Sequence, residues 1–192
     1  MCLIKSYHED LIKNNHIWLL SNYKKNKSSL HDDTIRKILL QYFTDFELNN
    51  ISFNNYGKPF ISQSAIHFNL SHSKSYLALG ISINNPIGID IEYRDLKDIH
   101  EKIAKKYFSD LEQESDFFKA WTAREAFIKF LGGNLLNILP KIVVKHKKNG
   151  FKIGLANQLF YQITFFGDKY DFEGALCQHE SHIKPFKIFE IK

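Results

Sequence analysis

Three carboxylates and one ammonium carry most of the chemistry this sequence could do. Asp90 and Glu92 stand two residues apart in Ile87-Gly88-Ile89-Asp90-Ile91-Glu92, where isoleucines alternate with Gly, Asp and Glu. A strand of period 2 puts both carboxylates on one face, roughly 6–7 Å apart at the backbone, so both can reach one cation. Glu125 and Lys129 stand one helical turn apart in the strongly apolar stretch from Phe117 to Leu131. At about 100° per residue, Thr122, Glu125 and Lys129 share one sector of a helix. Phe117, Trp121, Ile128 and Leu131 form the adjoining apolar stripe, with Arg124 inside it. The pattern alone also fits an ordinary i, i+4 ion pair, worth a few tenths of a kcal/mol. The apolar company argues for more, because so greasy a helix has little surface to spare for charge and should point it into a cleft. Carboxylates in apolar surroundings must be neutralised, and a hard divalent cation does this most simply. Mg²⁺ is the first candidate, with Mn²⁺ as its substitute, and the chain then reads as an enzyme acting on a phosphate.

Ser71 and His72 are a second candidate pair. Two readings stay open from the residues alone. One is part of a nucleophilic triad, which needs an orienting acid supplied in space. The other is a phosphate contact, hydroxyl and imidazole donating to oxygens.

The elements that must position these groups read as mixed α+β, with a lobe boundary near residue 86. Cys2 to Tyr7 is predicted as a short strand and residues 9–21 as partly helical. Ser21 to Ser29 is a polar, basic loop. Asp32-Asp33-Thr34 starts a helix whose stripe is Ile35, Ile38, Leu39, Tyr42 and Phe43. Strands are predicted over His67–Leu70, Tyr76–Ile83 and Ile87–Glu92, and a helix over Ile99–Phe108 with Ser109 as a cap for the segment after it. The apolar helix over residues 115–131 stops at Gly132-Gly133. Beyond it, β-like runs occur at Ile142–Val144, Phe151–Ile153, Tyr161–Phe165 and Gly174–Cys177.

Composition narrows the class. The chain has 192 residues, 44% of them hydrophobic, including 17 Phe and 9 Tyr, enough to build a real core and to exclude a disordered chain. Two cysteines far apart make neither a disulfide framework nor a zinc site, and point to a reducing cytoplasm. Charges within Met1–Asp10 stand where a signal peptide needs an apolar run, and no stretch approaches a membrane span. A net charge of +5 suits an anionic ligand, an acidic protein or nucleic acid without choosing among them.

Five blocks in order resemble the signatures of 4′-phosphopantetheinyl transferases, of the larger monomeric type that activates surfactin synthetase. They are Tyr56-Gly57-Lys58-Pro59, His67-Phe68-Asn69-Leu70-Ser71-His72-Ser73, Gly88-Ile89-Asp90-Ile91-Glu92, Lys106-Tyr107-Phe108-Ser109 with Glu112, and Trp121-Thr122-Ala123-Arg124-Glu125-Ala126-Phe127-Ile128-Lys129. The resemblance implies an α+β fold of two similar halves, an N-terminal lobe over residues 1–86 and a C-terminal lobe over 87–192, with the site between them. It implies a cytoplasmic monomer that transfers the phosphopantetheine arm of coenzyme A to a serine of an acidic apo acyl or peptidyl carrier protein, releasing adenosine 3′,5′-bisphosphate. Neither nucleic acid nor membrane is an implied partner.

The same resemblance distributes roles. Asp90, Glu92 and Glu125 would hold Mg²⁺, and Glu125 or a water it orients would be the base. Catalysis would rest on Glu125, Lys129, Asp90 and His72. Coenzyme A would be met by Lys58, Pro59, Ser71, His72, Asp90 and Lys129, with Arg36 or one of Lys24, Lys25 and Lys27 on its 3′-phosphate. Arg124 departs from the family, which commonly has lysine there; arginine keeps the charge and changes the geometry. Two other readings are a non-catalytic coenzyme A or carrier-protein binding module of the same fold, and a Mg²⁺-dependent nuclease. The nuclease reading lacks the interleaved basic and aromatic surface that nucleic acid would want.

Overall fold

The computed structural model describes residues 2–24, 30, 32–113, 116–147, 150–156 and 158–192. Lys25 and Lys27 lie outside them. Helix α1 (Cys2–Lys13) replaces the strand predicted at the start. The sequence carries Tyr7 and Leu11 at i, i+4; Leu11 is fully buried and Tyr7 packs against the same cluster. That helical spacing outweighs the β propensity of the first six residues. The part-helix expected over residues 9–21 is present as far as Lys13, and strand β1 (Asn15–Leu20) takes the rest of that stretch. It is buried on both faces, Trp18 and Leu20 toward one core cluster and Ile17 and Leu19 toward another. A strand buried on both faces shows no alternation, so its run of apolar residues cannot be told from a helix by period alone.

Helix α2 (Asp33–Leu39) forms as expected, with the Asp32 side chain accepting from Thr34 N and Ile35 N. Short helix α3 (Asp45–Asn49) and the two-residue strands β2 (Ser52–Phe53) and β3 (Pro59–Phe60) lead to β4 (Ile66–Ser73), β5 (Tyr76–Ile83) and β6 (Gly88–Tyr93). Then come α4 (Asp98–Tyr107), α5 (Asp110–Gln113), α6 (Phe117–Leu131) and α7 (Leu135–Ile138). Strands β7 (Ile142–Lys147), β8 (Gly150–Leu155), β9 (Gln158–Phe166), β10 (Phe172–His179) and β11 (Phe186–Ile191) complete the mixed α+β chain. Among the described residues no helix is long and apolar enough to cross a membrane.

Two larger sheets result, ordered β11-β1-β5-β4 and β6-β10-β9-β8-β7. The last strand returns to the first sheet and pairs parallel with β1. Helix α6 covers the second sheet, burying Ala123, Ala126 and Phe127 against Phe151, Ile153, Ile163, Ala175 and Cys177. A separate cluster, with Ile17, Leu19 and Ala78 from one sheet and Ile89, Ile91 and Leu176 from the other, packs the two sheets together. The approach of α6 to β6 is set by Gly88. A Cβ there would lie 2.0 Å from Ala126 O and 2.4 Å from Phe130 N, so any side chain would push helix and strand apart.

Candidate active site

The edge strands of the two sheets, β4 and β6, run side by side in the same direction. They are joined by side chains rather than by a backbone ladder. Asn69 Oδ1 accepts from Ile89 N (2.8 Å), Ser71 Oγ from Ile91 N (3.2 Å) and Ser73 Oγ from Tyr93 N (3.0 Å). Alternate residues of one strand thus serve alternate amides of the other, which satisfies edge N–H groups that would otherwise be buried unpaired.

The same register aligns the carboxylates. Ser71 Oγ donates to Asp90 Oδ1 at 2.8 Å, and Ser73 Oγ donates to Glu92 Oε1 at 3.1 Å. From α6, Lys129 Nζ donates to Asp90 Oδ1 (2.6 Å) and to Ser71 Oγ (2.8 Å). Lys129 therefore reaches across to β6, and the simple helical pair with Glu125 is not what forms. Thr122, placed by helical period on the polar sector, is fully buried and donates back to Phe118 O at 2.7 Å. Ser71 makes its bonds to Asp90, Ile91 and Lys129, so the triad reading of Ser71 and His72 has no support in the hydrogen bonding.

These groups line one open cavity of about 430 Å³, with Ser71, His72, Asp90, Glu92, Trp121, Glu125 and Lys129 in its wall. A second, of about 270 Å³, shares Leu70, Glu125 and Lys129 with it and is walled by Tyr56, Gly57, Lys58 and Pro59. Six of the seven residues expected to meet coenzyme A, namely Lys58, Pro59, Ser71, His72, Asp90 and Lys129, therefore line this pair of cavities. Arg36 does not join them. It lies beside a separate cavity and donates to Asp45 Oδ1 (2.8 Å) and Asn49 Oδ1 (3.1 Å). Lys24 is exposed.

Lys58 lines the second cavity with its ammonium turned inward. Its Nζ donates to Phe130 O at 3.0 Å and Ile87 O at 3.4 Å, and burial lowers its pKa to about 8. Asn54 works beside it: Nδ2 donates to Gly132 O at 2.6 Å, and Oδ1 accepts from Tyr56 N and Lys58 N. The 54–58 loop thereby supplies donors to the carbonyls that the left-handed stop at Gly132 leaves exposed.

Electrostatics separate the carboxylates. Glu125 makes no hydrogen bond among the described residues, and burial, then the charge of Asp90, raises its pKa to about 7 against the pull of Lys129. Glu92 is raised by burial and by Asp90. Asp90 keeps one oxygen, Oδ2, buried with no hydrogen-bond partner. Among the described residues no group of three His, Cys, Asp or Glu converges closely enough to ligate a metal as it stands. The donor set nevertheless fits a hard cation: three carboxylates face one cavity, one has an orphaned oxygen, and two hold their protons more tightly than free side chains do.

Arg124, one residue from Glu125, faces away. Its Nε and Nη2 donate to Glu112 Oε1 and Oε2, both at 2.8 Å, and its guanidinium lies 5.1 Å from the centre of the Phe108 ring. Glu112 Oε2 also accepts from Ser109 N and Oγ. Ser109 was expected as a cap; that Glu112 would close the cap and also bind Arg124 was not visible in the sequence. Asn69 and Ser73 were missed as well. The signal is the spacing: small polar residues at i, i+2 and i+4 of one strand, Asn69, Ser71 and Ser73, point one way.

Residues 86–182 match the family model of the 4′-phosphopantetheinyl transferase superfamily. The chain is similar to the 4′-phosphopantetheinyl transferase gsp of Aneurinibacillus migulanus, with 40% identity over 119 residues, covering 55% of this chain and 48% of that protein. It is similar to the 4′-phosphopantetheinyl transferase Sfp of Bacillus subtilis, with 33% identity over 138 residues, covering 65% of this chain and 60% of that protein. The matched part of the chain spans about half the length of these curated relatives.

Proposed function

The chain belongs to the 4′-phosphopantetheinyl transferase superfamily, and from that premise we propose that it moves the phosphopantetheine arm of coenzyme A onto a serine of an acidic apo acyl or peptidyl carrier protein. The observation that carries the proposal is the convergence of Asp90, Glu92, Glu125 and Lys129 on one cavity beside Ser71 and His72. Residues 1–86 and 87–192 are read as two lobes flanking that cavity, with β11 returned to the first lobe's sheet. The protein is read as a cytoplasmic monomer whose positive charge suits an acidic partner.

In the reaction, the serine oxygen attacks the phosphorus that carries the pantetheine. The bond from that phosphorus to the bridging oxygen breaks, and adenosine 3′,5′-bisphosphate leaves. Serine is a poor nucleophile and needs a base near its hydroxyl. Glu125, or a water it orients, is read as that base; with no cation bound, burial and the charge of Asp90 raise its pKa to about 7. Lys129 carries positive charge to the side of the cavity where the pyrophosphate sits, and His72 and Pro59 line the coenzyme's path. Three carboxylates against one lysine would repel a pyrophosphate, so Asp90, Glu92 and Glu125 are read as holders of Mg²⁺. When bound there, the ion would neutralise the phosphate oxygens and the charge developing on them.

The test is the intact mass of several apo carrier proteins incubated with this protein, coenzyme A and Mg²⁺, with an EDTA control. A gain of one phosphopantetheine arm, lost with EDTA, is expected. No gain with acyl and peptidyl carrier proteins alike would defeat the proposal.

A further inference from the structure

Ser71 was expected, from the resemblance, to contact a coenzyme phosphate. A hydroxyl has one proton to donate and two lone pairs to accept with. In this molecule Ser71 has used all three. Its proton goes to Asp90 Oδ1 at 2.8 Å, and its lone pairs receive Ile91 N at 3.2 Å and Lys129 Nζ at 2.8 Å. The residue is buried, at 6% exposure. Nothing remains on the oxygen with which to bind a phosphate unless one of these bonds is given up.

We infer that Ser71 is a positioning residue, the middle rung of a side-chain ladder (Asn69, Ser71, Ser73) that splices the two sheets and sets the carboxylates of β6. The ladder has one rung every second residue, and each rung holds one β6 amide: Ile89 by Asn69, Ile91 by Ser71, Tyr93 by Ser73. The two hydroxyl rungs have a second task, which Asn69 does not share. While accepting from the amide, each donates to the carboxylate of the residue before it, Asp90 or Glu92. The amide fixes the oxygen, and the oxygen fixes the rotamer of the carboxylate.

At Asp90 this has a directional result. Ser71 and Lys129 both occupy Oδ1, which leaves Oδ2 as the orphaned atom. The ladder thus decides which oxygen of Asp90 is kept free for a cation, and it holds Lys129 across the cavity from the helix that carries it. Threonine keeps the hydroxyl and alanine removes it, so the two substitutions separate bonding from bulk.

The kinetic half of this inference rests on the transfer reading; the structural half does not. The experiment is amide hydrogen exchange by NMR on the free protein, paired with steady-state transfer kinetics, for wild type, Ser71→Thr, Ser71→Ala and Ser73→Ala. Loss of one buried acceptor should speed exchange about tenfold at the amide it served. Ser71→Ala should speed Ile91 and spare Ile89, Ser73→Ala should speed Tyr93, and Ser71→Thr should resemble wild type. In transfer, Ser71→Ala should lower kcat at least tenfold with KM for coenzyme A within about twofold, and Ser71→Thr should restore it. Mn²⁺ affinity of the free protein, read by electron paramagnetic resonance, should fall with kcat.

Unchanged exchange at Ile91 in Ser71→Ala, or a raised KM for coenzyme A with kcat kept, overturns the inference and returns Ser71 to the phosphate. If Ser71→Ala does not fold, Ser73→Ala decides the ladder at Tyr93, and unchanged exchange there overturns it. A wild-type protein that transfers nothing defeats the functional reading alone, because the exchange pattern and Mn²⁺ affinity still stand or fall on the ladder.

Discussion

Arg124 and Glu125 are neighbours on α6 and meet opposite surroundings. Arg124 is buried against Glu112 with two bonds of 2.8 Å, a third donor reaching Leu139 O and a ring beneath it. Glu125 looks into the cavity with no hydrogen bond among the described residues and a pKa near 7. One charge is fully answered by the protein and the other is left unanswered. A buried pair matched this closely ties α5 to α6 and has nothing left to offer a ligand. A carboxylate raised by burial beside two others is a cost to the fold, and in a cavity wall it marks a functional candidate. The arginine that departs from the family pattern therefore concerns the frame, and the glutamate beside it concerns the chemistry.

The comparison breaks most sharply at Arg124. Arg124→Ala would strand Glu112 as a buried, unpaired carboxylate and should cost about 3–5 kcal/mol in urea unfolding. Arg124→Lys keeps charge but loses the fork, so it should fall between wild type and alanine. A cost under about 1 kcal/mol for the alanine variant would show that the clamp is idle. On the other side, Glu125→Gln should reduce transfer at least 100-fold, the lower end of what a positioned base contributes, while the protein stays folded. Transfer within tenfold of wild type would remove Glu125 from its role.

Much of this contrast was legible beforehand. Period 2 in Ile87–Glu92 places Asp90 and Glu92 on one strand, the Asp32 signal marks the start of α2, and Gly132-Gly133 marks the end of α6; the α2 stripe read as far as Phe43 outruns the helix, which stops at Leu39. What sequence could not give was partner choice. Lys129 has Glu125 four residues away and pairs instead with Asp90, 39 residues distant. Lys58, expected to meet the coenzyme, lines the second cavity and also serves the carbonyls at the end of α6. Both outcomes depend on how closely α6 approaches β6, which Gly88 permits and no local pattern encodes. Residues 15–20 differ for another reason: β1 is buried on both faces, so its hydrophobic run has no period to read, while the part-helix expected over 9–21 is present as far as Lys13.

The cost borne at Glu125 can be sharpened by pH. Its folded pKa of about 7 lies above its unfolded value near 4.5, so the folded state holds the proton more tightly between them. Stability from this group is therefore greatest below about pH 4.5 and is lost as pH rises toward 7. Relative to Glu125→Gln, wild type should lose on the order of 2–3 kcal/mol between pH 4.5 and 8 without divalent cations. Urea titrations of both proteins would show it, and Mg²⁺ at pH 8 should recover part of the loss by answering the charge. Parallel curves for the two proteins would mean that Glu125 ionises as freely folded as unfolded, and the contrast with Arg124 would close.

Arg36 is the mildest test, because it sets a second paired arginine against Arg124. It donates to Asp45 Oδ1 at 2.8 Å and to Asn49, but both charged partners are more than a third exposed. Water already solvates such a pair, so Arg36→Ala should cost less than about 1 kcal/mol in unfolding, against several for Arg124. Its bearing on the coenzyme is a separate question with a separate readout. Held by Asp45 beside its own cavity, Arg36 should leave KM for coenzyme A within about twofold when removed. A tenfold rise for Arg36→Ala, with no rise for dephospho-coenzyme A, would mean that the guanidinium leaves Asp45 for the 3′-phosphate. The same ion pair would then be a latch that the substrate opens, which the buried fork of Arg124 is too well satisfied to be.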